Sequence, residues 1–421
     1  MSIESPGNQE ERSEAAPGAT AAVVAAEPAE ATSTGGWSLR DLIRGDLGQL
    51  PVFIGLILIA IYFQIASGGF FLIPENLRGL ADQVTAFPIL GIAVASTLVL
   101  LIGEIDLSVA EVAYLCGAVT AVLSVRLQFP AWEAILVGIL VGVVIGLING
   151  VLIAVLRMPS FIVTLAGFIF YQGLLQNLLQ PRASVQIFDP VIGGIETYNL
   201  PIYLSIVLPA IALAIYAAFV LAGRARRQKA GLPVQPSAQL TLQLVLPIIL
   251  VALVVFALDS YQGVPLPTVI TVAILIVVWL ITTKTAFGRH IYAVGGNAEA
   301  ARRAGIRVVG LRIAIFTLAS TIAAISGMLL VARAATAVSL VNNSLLLFAI
   351  AAAVIGGVSL FGGRGSVWGV VLGALIMGSL TNGLSLLNIG PDVVLMTAGL
   401  ALAVAVLLDA ISRRRSVTGY R

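Results

Sequence analysis

Between two long apolar runs, the nine residues Gly103-Glu-Ile-Asp-Leu-Ser-Val-Ala-Glu111 gather three carboxylates and a hydroxyl. At the centre of a membrane helix each charge costs about 2.5–3.5 kcal/mol on insertion scales, so such a cluster needs a use. Ser108 and Glu111 have capping-box spacing: the Ser108 hydroxyl can accept from the Glu111 amide while the Glu111 side chain returns to the Ser108 amide. Asp106 then lies just before a helix start, where the positive end of the helix dipole favours a carboxylate. This reading makes Asp106, Ser108 and Glu111 parts of a capped helix and leaves Glu104 to face a water-filled pathway. The alternative is a proton relay of the kind intramembrane acids form in secondary transporters. Against it, the other expected span centres are nearly free of ionisable groups.

A second polar segment, Gly295-Gly-Asn-Ala-Glu-Ala-Ala-Arg-Arg-Ala-Gly305, carries its own helix start and stop signals. Asn297 suits an N-cap, Glu299 sits in the first turn, Arg302 and Arg303 sit in the last, and Gly305 can close the end in a left-handed conformation. Gly295 and Gly296 precede the cap, and Ala300 and Ala301 supply the short helix with little apolar surface. An isolated helix of fewer than roughly 12 residues is marginal in water, so this one is expected to gain stability by docking a partner protein. Other chemistries are poorly served. The lone Cys116 and lone His290 leave no disulfide framework and no Cys/His cluster for a metal. The glycine-rich Gly356-Gly-Val-Ser-Leu-Phe-Gly-Gly-Arg-Gly-Ser366 lacks the Gly-Lys-Ser/Thr ending of a phosphate-cradling loop and reads as a tight turn. The chain is therefore not expected to hydrolyse ATP itself or to hold a cofactor.

The elements that must position these groups lie in a membrane. Hydrophobic residues make up 59% of the 421 positions and charged ones 10%, more apolar surface than one soluble core can hide. The net charge of +3 gives no footprint for nucleic acid. Residues 1–48 are expected to form a disordered cytoplasmic tail, since the first 36 are rich in Ala, Glu, Pro, Ser and Thr without an aromatic residue until Trp37. Spanning the hydrocarbon core takes about 20 apolar residues. Spans are expected near 50–67, 84–102, 108–125, 134–156, 160–179, 202–222, 243–259, 265–283, 311–332, 345–360, 367–387 and 393–410, the tenth being short. The expected fold is thus all-α, a polytopic membrane protein of about twelve transmembrane helices over residues 49–412, with a basic cytoplasmic tail at 413–421. With both termini inside, all but four of the 23 Lys and Arg residues face the cytoplasm, the exceptions being Arg78, Arg126, Arg182 and Arg333. Gly138, Gly142, Gly146 and Gly150 form a one-face stripe, as do Gly365, Gly369 and Gly373, and such stripes let helices approach closely. Both run into Asn-Gly, at Asn149-Gly150 and Asn382-Gly383, which hints at an internal duplication.

The stretch Phe287-Gly-Arg-His-Ile-Tyr-Ala-Val-Gly-Gly-Asn-Ala-Glu-Ala-Ala-Arg-Arg-Ala-Gly-Ile306 resembles the cytoplasmic coupling loop of monosaccharide ABC importer permeases. Gly103-Glu-Ile-Asp-Leu-Ser-Val109, Pro159-Ser-Phe-Ile-Val-Thr-Leu-Ala-Gly167 and Gly356 to Ser366 are similar to other stretches of that family, and the resemblance covers about residues 50–410. Ala110 departs from the Gly usual after Asp-Leu-Ser-Val. Glu104 and the additional hairpin near 202–259 resemble the xylose-type branch, whose chains exceed the ribose type. The resemblance implies two permease subunits, ATP-binding subunits docked on residues 295–306, an extracytoplasmic sugar-binding protein, and a place in the bacterial inner membrane. For an uncharged sugar, Ser108, Asn149, Gln172, Asn177 and Asn382 are candidates to line the pathway with Glu104 and Asp106, though each can equally satisfy backbone or a neighbouring helix. A branched-chain amino acid permease of the same superfamily and a proton-coupled sugar carrier stand as alternatives.

Overall fold

The computed structural model describes residues 50–85, 88–232, 234, 237–341 and 344–418. The expected tail at 1–48 lies outside them. The chain runs through α1 (Leu50–Ala66), α2 (Pro74–Thr85), α3 (Ile89–Leu101), α4 (Val109–Val125), α5 (Ala131–Ala154), α6 (Ser160–Leu179), β1 (Ser184–Gln186), α7 (Pro190–Thr197), α8 (Ile202–Lys229) and α9 (Ser237–Asp259). It continues through α10 (Leu266–Lys284), α11 (Ala286–Gly296), α12 (Ala298–Arg303), α13 (Val308–Ala334), β2 (Thr336–Val338), α14 (Ser344–Ile355), α15 (Val367–Leu386) and α16 (Pro391–Thr418). Each of the twelve expected spans meets an apolar helix. Among the described residues, eight helical segments are long and apolar enough to cross a membrane, and four more are shorter and apolar.

Proline sets several of the helix starts. Pro130, Pro159, Pro201 and Pro265 stand immediately before α5, α6, α8 and α10. There a fixed φ and a missing N–H cost nothing, because the first amides of a helix have no internal partner anyway. α14 is the shortest of the apolar helices: its 12 residues reach only about 18 Å, and the chain turns at Gly357 with φ +87°. The weak span expected at 345–360 is thus a half-length helix, buried along most of its surface. α16 carries on through Arg413–Arg415 to Thr418.

α13 is the axis of the bundle. The first glycine stripe faces α4 and α13: a Cβ on Gly142, Gly146 or Gly150 would press on Ser320, Phe316 or Ile313, and one on Gly138 would press on Thr120. With no side chain between them the backbones come close and gain dispersion contacts along their length. Gly117 of α4 and Gly327 of α13 meet in the same way, and Gly373 of α15 lies against Ala352 of α14. The hairpin α8–α9 is peripheral, with Ile202, Leu253 and Phe256 all more than 60% exposed, as suits side chains that face lipid.

The connections gather at two ends. One holds residues 101–108, 285–312 and 356–366, joined by bonds such as Gly363 N to Leu101 O at 2.9 Å. The other holds 67–82, 180–200, 260–266 and 333–338, where β1 pairs antiparallel with β2, Val185 opposite Ala337. There Arg126 also donates to the carbonyls of Leu178, Leu179 and Gln180 at 2.8–3.0 Å, a cation closing the negative end of α6.

Candidate functional site

α12 is capped at both ends. The Asn297 side-chain oxygen accepts from the amides of Glu299 (3.0 Å) and Ala300 (2.9 Å), which satisfies two of the orphan donors of the first turn. At the other end Ile306 N donates to Ala301 O (3.1 Å) and Gly305 N to Arg302 O (3.0 Å), with Gly305 at φ +87°. That is the paired closure of a Schellman motif. Glu299 bridges Arg303 at 3.2 Å and Arg302 at 3.4 Å, but all three side chains are more than half exposed, so the pairs add little to stability. Ala301 is buried, whereas Glu299, Ala300, Arg302 and Arg303 face outward. Gly295 and Gly296 belong to the end of α11 and precede the cap. The helix therefore offers a small, charged, outward surface on a rigid frame.

Behind α12 three turns meet backbone to backbone. A Cβ on Gly295 would overlap the Leu101 carbonyl and press on Gly363 N, and one on Gly362 would press on Gly103 N and Gly295 O. Gly103, Gly362 and Gly363 all have positive φ, a conformation that side chains disfavour. Glu104 pairs with Arg312, the fifth residue of α13, at 2.8 Å. The Tyr292 hydroxyl donates to Gly365 O at 3.0 Å. The end of α11, just before α12, thus meets the turn before α4 and the turn before α15 backbone to backbone.

From that turn a buried polar chain leads into the bundle. The Asp106 carboxylate accepts from Ser108 N (2.8 Å) and from the Ser108 hydroxyl (2.7 Å). Asn149 donates to the Ser108 hydroxyl (3.4 Å), and the Tyr171 hydroxyl donates to Asn149 (3.0 Å). Leu107 N donates to the Thr164 hydroxyl at 3.1 Å. The capping box expected from Ser108 and Glu111 does not form: Asp106, two residues before Ser108, takes the Ser108 amide first, and Ser108 makes no side-chain cap bond. Glu111 is 1% exposed and neither carboxylate oxygen has a hydrogen-bond partner among the described residues. Asp106, Ser108 and Asn149 are all buried within this chain. Asn382 lies toward the other end, where it accepts from Asn76 at 2.9 Å. Gln172 is half-buried and Asn177 exposed. Sequence reasoning missed Thr164, Tyr171 and Asn76, ordinary residues whose partners come from other helices.

The end opposite α12 holds a charge network. Arg78 is 7% exposed; it pairs with Asp82 at 3.1 Å and donates to Asn199 (2.6 Å) and Gly263 O (2.9 Å). Arg333 pairs with Glu196 at 2.8 Å and lies 3.7 Å from Asp82. Burial, and next the charge of Asp82, push the Glu196 carboxyl above its ordinary range, with Arg333 pulling the other way.

An apolar helical bundle with a capped helix at one end, a charge network at the other and a buried polar chain between them defines a multi-pass membrane protein of the transport class. The family described as branched-chain amino acid transport system / permease component matches residues 80–408. The xylose transport system permease protein XylH of Escherichia coli (strain K12) is 36% identical over 371 residues, 87% of this chain and 94% of that protein. The ribose import permease protein RbsC of Bacillus subtilis (strain 168) is 33% identical, over 87% of this chain and 94% of its own. The fructose import permease protein FrcC of Rhizobium meliloti is 30% identical, over 88% and 87%. No solved structure matches the chain. The chain belongs to this permease family of ABC importers, in its ribose/xylose-type branch.

Proposed function

We propose that the protein is the membrane subunit of an ATP-driven importer for xylose or a closely related monosaccharide, working as a homodimer in the bacterial inner membrane. ATP-binding subunits grip α12 from the cytoplasm, and an extracytoplasmic sugar-binding protein delivers the substrate at the opposite end. The observation that carries this reading is the construction of α12. A six-residue helix with both ends capped, an outward charged face and a glycine junction at its back is built to receive force and pass it on. The orientation follows from charge: Arg302, Arg303, Arg307 and Arg312 cluster at the α12 end, and positive clusters stay in the cytoplasm. The exceptional arginines Arg78 and Arg333 sit in the network at the other end, each with a carboxylate partner. The buried chain from Asp106 to Tyr171 rearranges as the turns move, and together with Gln172, Asn177 and Asn382 it exchanges partners with the sugar during passage.

The test uses right-side-out vesicles that hold the complete importer, loaded with ATP and supplied outside with the sugar-binding protein. A cysteine at Ala300 is expected to cross-link to the ATP-binding subunit. Glu299→Arg, which replaces the partner of Arg302 and Arg303 with a third cation, is expected to cut ATP-driven uptake at least tenfold with normal membrane insertion. Unchanged uptake by Glu299→Arg would falsify the docking role. Uptake that follows a pH gradient rather than ATP would instead favour a proton-coupled carrier.

A further inference from the structure

The end opposite α12 contains a cavity of about 430 Å³ between α2, α14, α15 and the start of α16. Ligand pockets begin at roughly 300 Å³, so one monosaccharide fits with room for water. Its walls divide by chemistry. Phe348 and Leu395 give an apolar surface of the kind that covers the C–H face of a sugar ring. Gln83, Thr381, Ser385 and Arg333 give polar groups to its hydroxyls.

Their bonding leaves capacity for a ligand. The Thr381 hydroxyl already serves the carbonyls of Met377 and Gly378 and reaches Gln83 Oε1 at 3.4 Å. That contact fixes the Gln83 amide while its Nε2 stays without a partner among the described residues. The exposed Ser385 hydroxyl has none there either. The charges behind the wall cancel: Arg333 is held by Glu196 and Asp82, and Arg78 by Asp82, so two cations face two carboxylates. A mainly apolar wall that carries a few hydrogen-bond groups and no net charge suits the ring face and hydroxyls of a polyol better than a zwitterion, whose two charges would lack dedicated partners.

We propose that this cavity is the entry site where an uncharged pentose or hexose first binds the permease, its hydroxyls held by Gln83, Ser385 and Arg333 and its ring laid on Phe348. The assignment rests on the sugar-import reading above and adds the location and chemistry of a binding step to it.

The test exploits the single native cysteine, Cys116, which is buried. Ser385→Cys, a change of one atom, then carries the accessible thiol in vesicles holding the complete importer. A membrane-impermeant methanethiosulfonate reagent added from the extracytoplasmic side is expected to label it, and the adduct to cut ATP-driven uptake of the best carried of D-xylose, D-ribose and D-fructose at least tenfold. The same sugar, delivered by its binding protein during turnover, is expected to slow labelling severalfold. Gln83→Leu is expected to raise the half-saturating concentration of loaded binding protein and lower the maximal rate. An adduct with uptake within twofold of the unlabelled protein overturns the site, and so does failure of the reagent to reach residue 385. If the unaltered importer takes up none of these sugars with ATP, the broader reading falls instead.

Discussion

Glu196 shows how one side chain ties the molecule to pH. Its carboxyl is raised above the ordinary value of 4.5 by burial first and by Asp82 second, with Arg333 opposing. A carboxyl raised in the folded state stabilises most when protonated: its contribution is complete below about pH 4.5 and is lost as pH rises through the raised value. Arg78, Asp82 and Arg333 are the other charges in the network, so the clean measurement is a difference between two proteins that share them. As pH rises above 4.5 the thermal midpoint of the detergent-solubilised protein should fall more steeply than that of Glu196→Gln. Equal slopes would show that Glu196 does not titrate differently on folding. At this scale the sequence was legible only where partners are local. Asn297 capping its own helix involves amides two and three residues on, and spacing alone identified it. Glu104 finds Arg312 from another helix, a partner that spacing does not name, and the Ser108 amide is taken by Asp106 before Glu111 can reach it, so pattern reading drew the wrong cap.

Between elements, the decisive contacts are made by residues with no side chain. Gly295 and Gly296 look interchangeable in the sequence, yet Gly295 is pinned between Leu101 O and Gly363 N whereas nothing lies within 4 Å of a Cβ on Gly296. Gly295→Ala must push α11 away from two backbones that cannot yield as a side chain could, a form of overpacking that typically costs about 1–3 kcal/mol. It should depress ATP-driven uptake at least tenfold in protein that still inserts and still binds its ATP-binding subunit, while Gly296→Ala stays within twofold of the unaltered protein. Similar losses from both substitutions would mean that the glycine pair serves α12 directly and not the junction. Helices themselves were easy to read, because runs of about 20 apolar residues have few alternatives in a membrane. The stripe at Gly138–Gly150 signalled close approach correctly but named no partner, since a stripe has a face and not an address. Of the stripe expected at Gly365, Gly369 and Gly373, Gly365 falls in the turn before α15 with φ +147° and only the other two lie on the helix. The tenth span was read as short, but its end was set too late because apolar composition continues past the turn at Gly357, where geometry rather than hydropathy ends the helix.

At the scale of the whole molecule, a long-range packed core around α13 carries a detachable appendage. α8 and α9 contribute few buried side chains, Ser205 and Leu258 among them, and most of their apolar surface faces outward. The chain enters and leaves this hairpin at one place. Leu200 N donates to Val264 O at 2.9 Å, Leu266 N donates to Tyr198 O at 3.1 Å, and Arg78 holds both Asn199 and Gly263. Two segments bonded in this antiparallel way lie about 5 Å apart, a gap that a loop of about four residues closes. Removing residues 201–262 and joining the ends with such a loop takes away two membrane crossings, so every later element keeps its side of the membrane. It leaves the charge network, the glycine junction and the cavity at Ser385 with all their bonding residues. The shortened protein should insert, unfold in one transition close to that of the full chain, and retain at least a third of ATP-driven uptake with its partner subunits. An aggregated product would mean that the hairpin completes the core, and a folded product without transport would place it in the pathway or at the interface with the second subunit. The bonds at Leu200 and Leu266 argue for the first outcome, because they keep the two cut ends in register before the hairpin contributes anything.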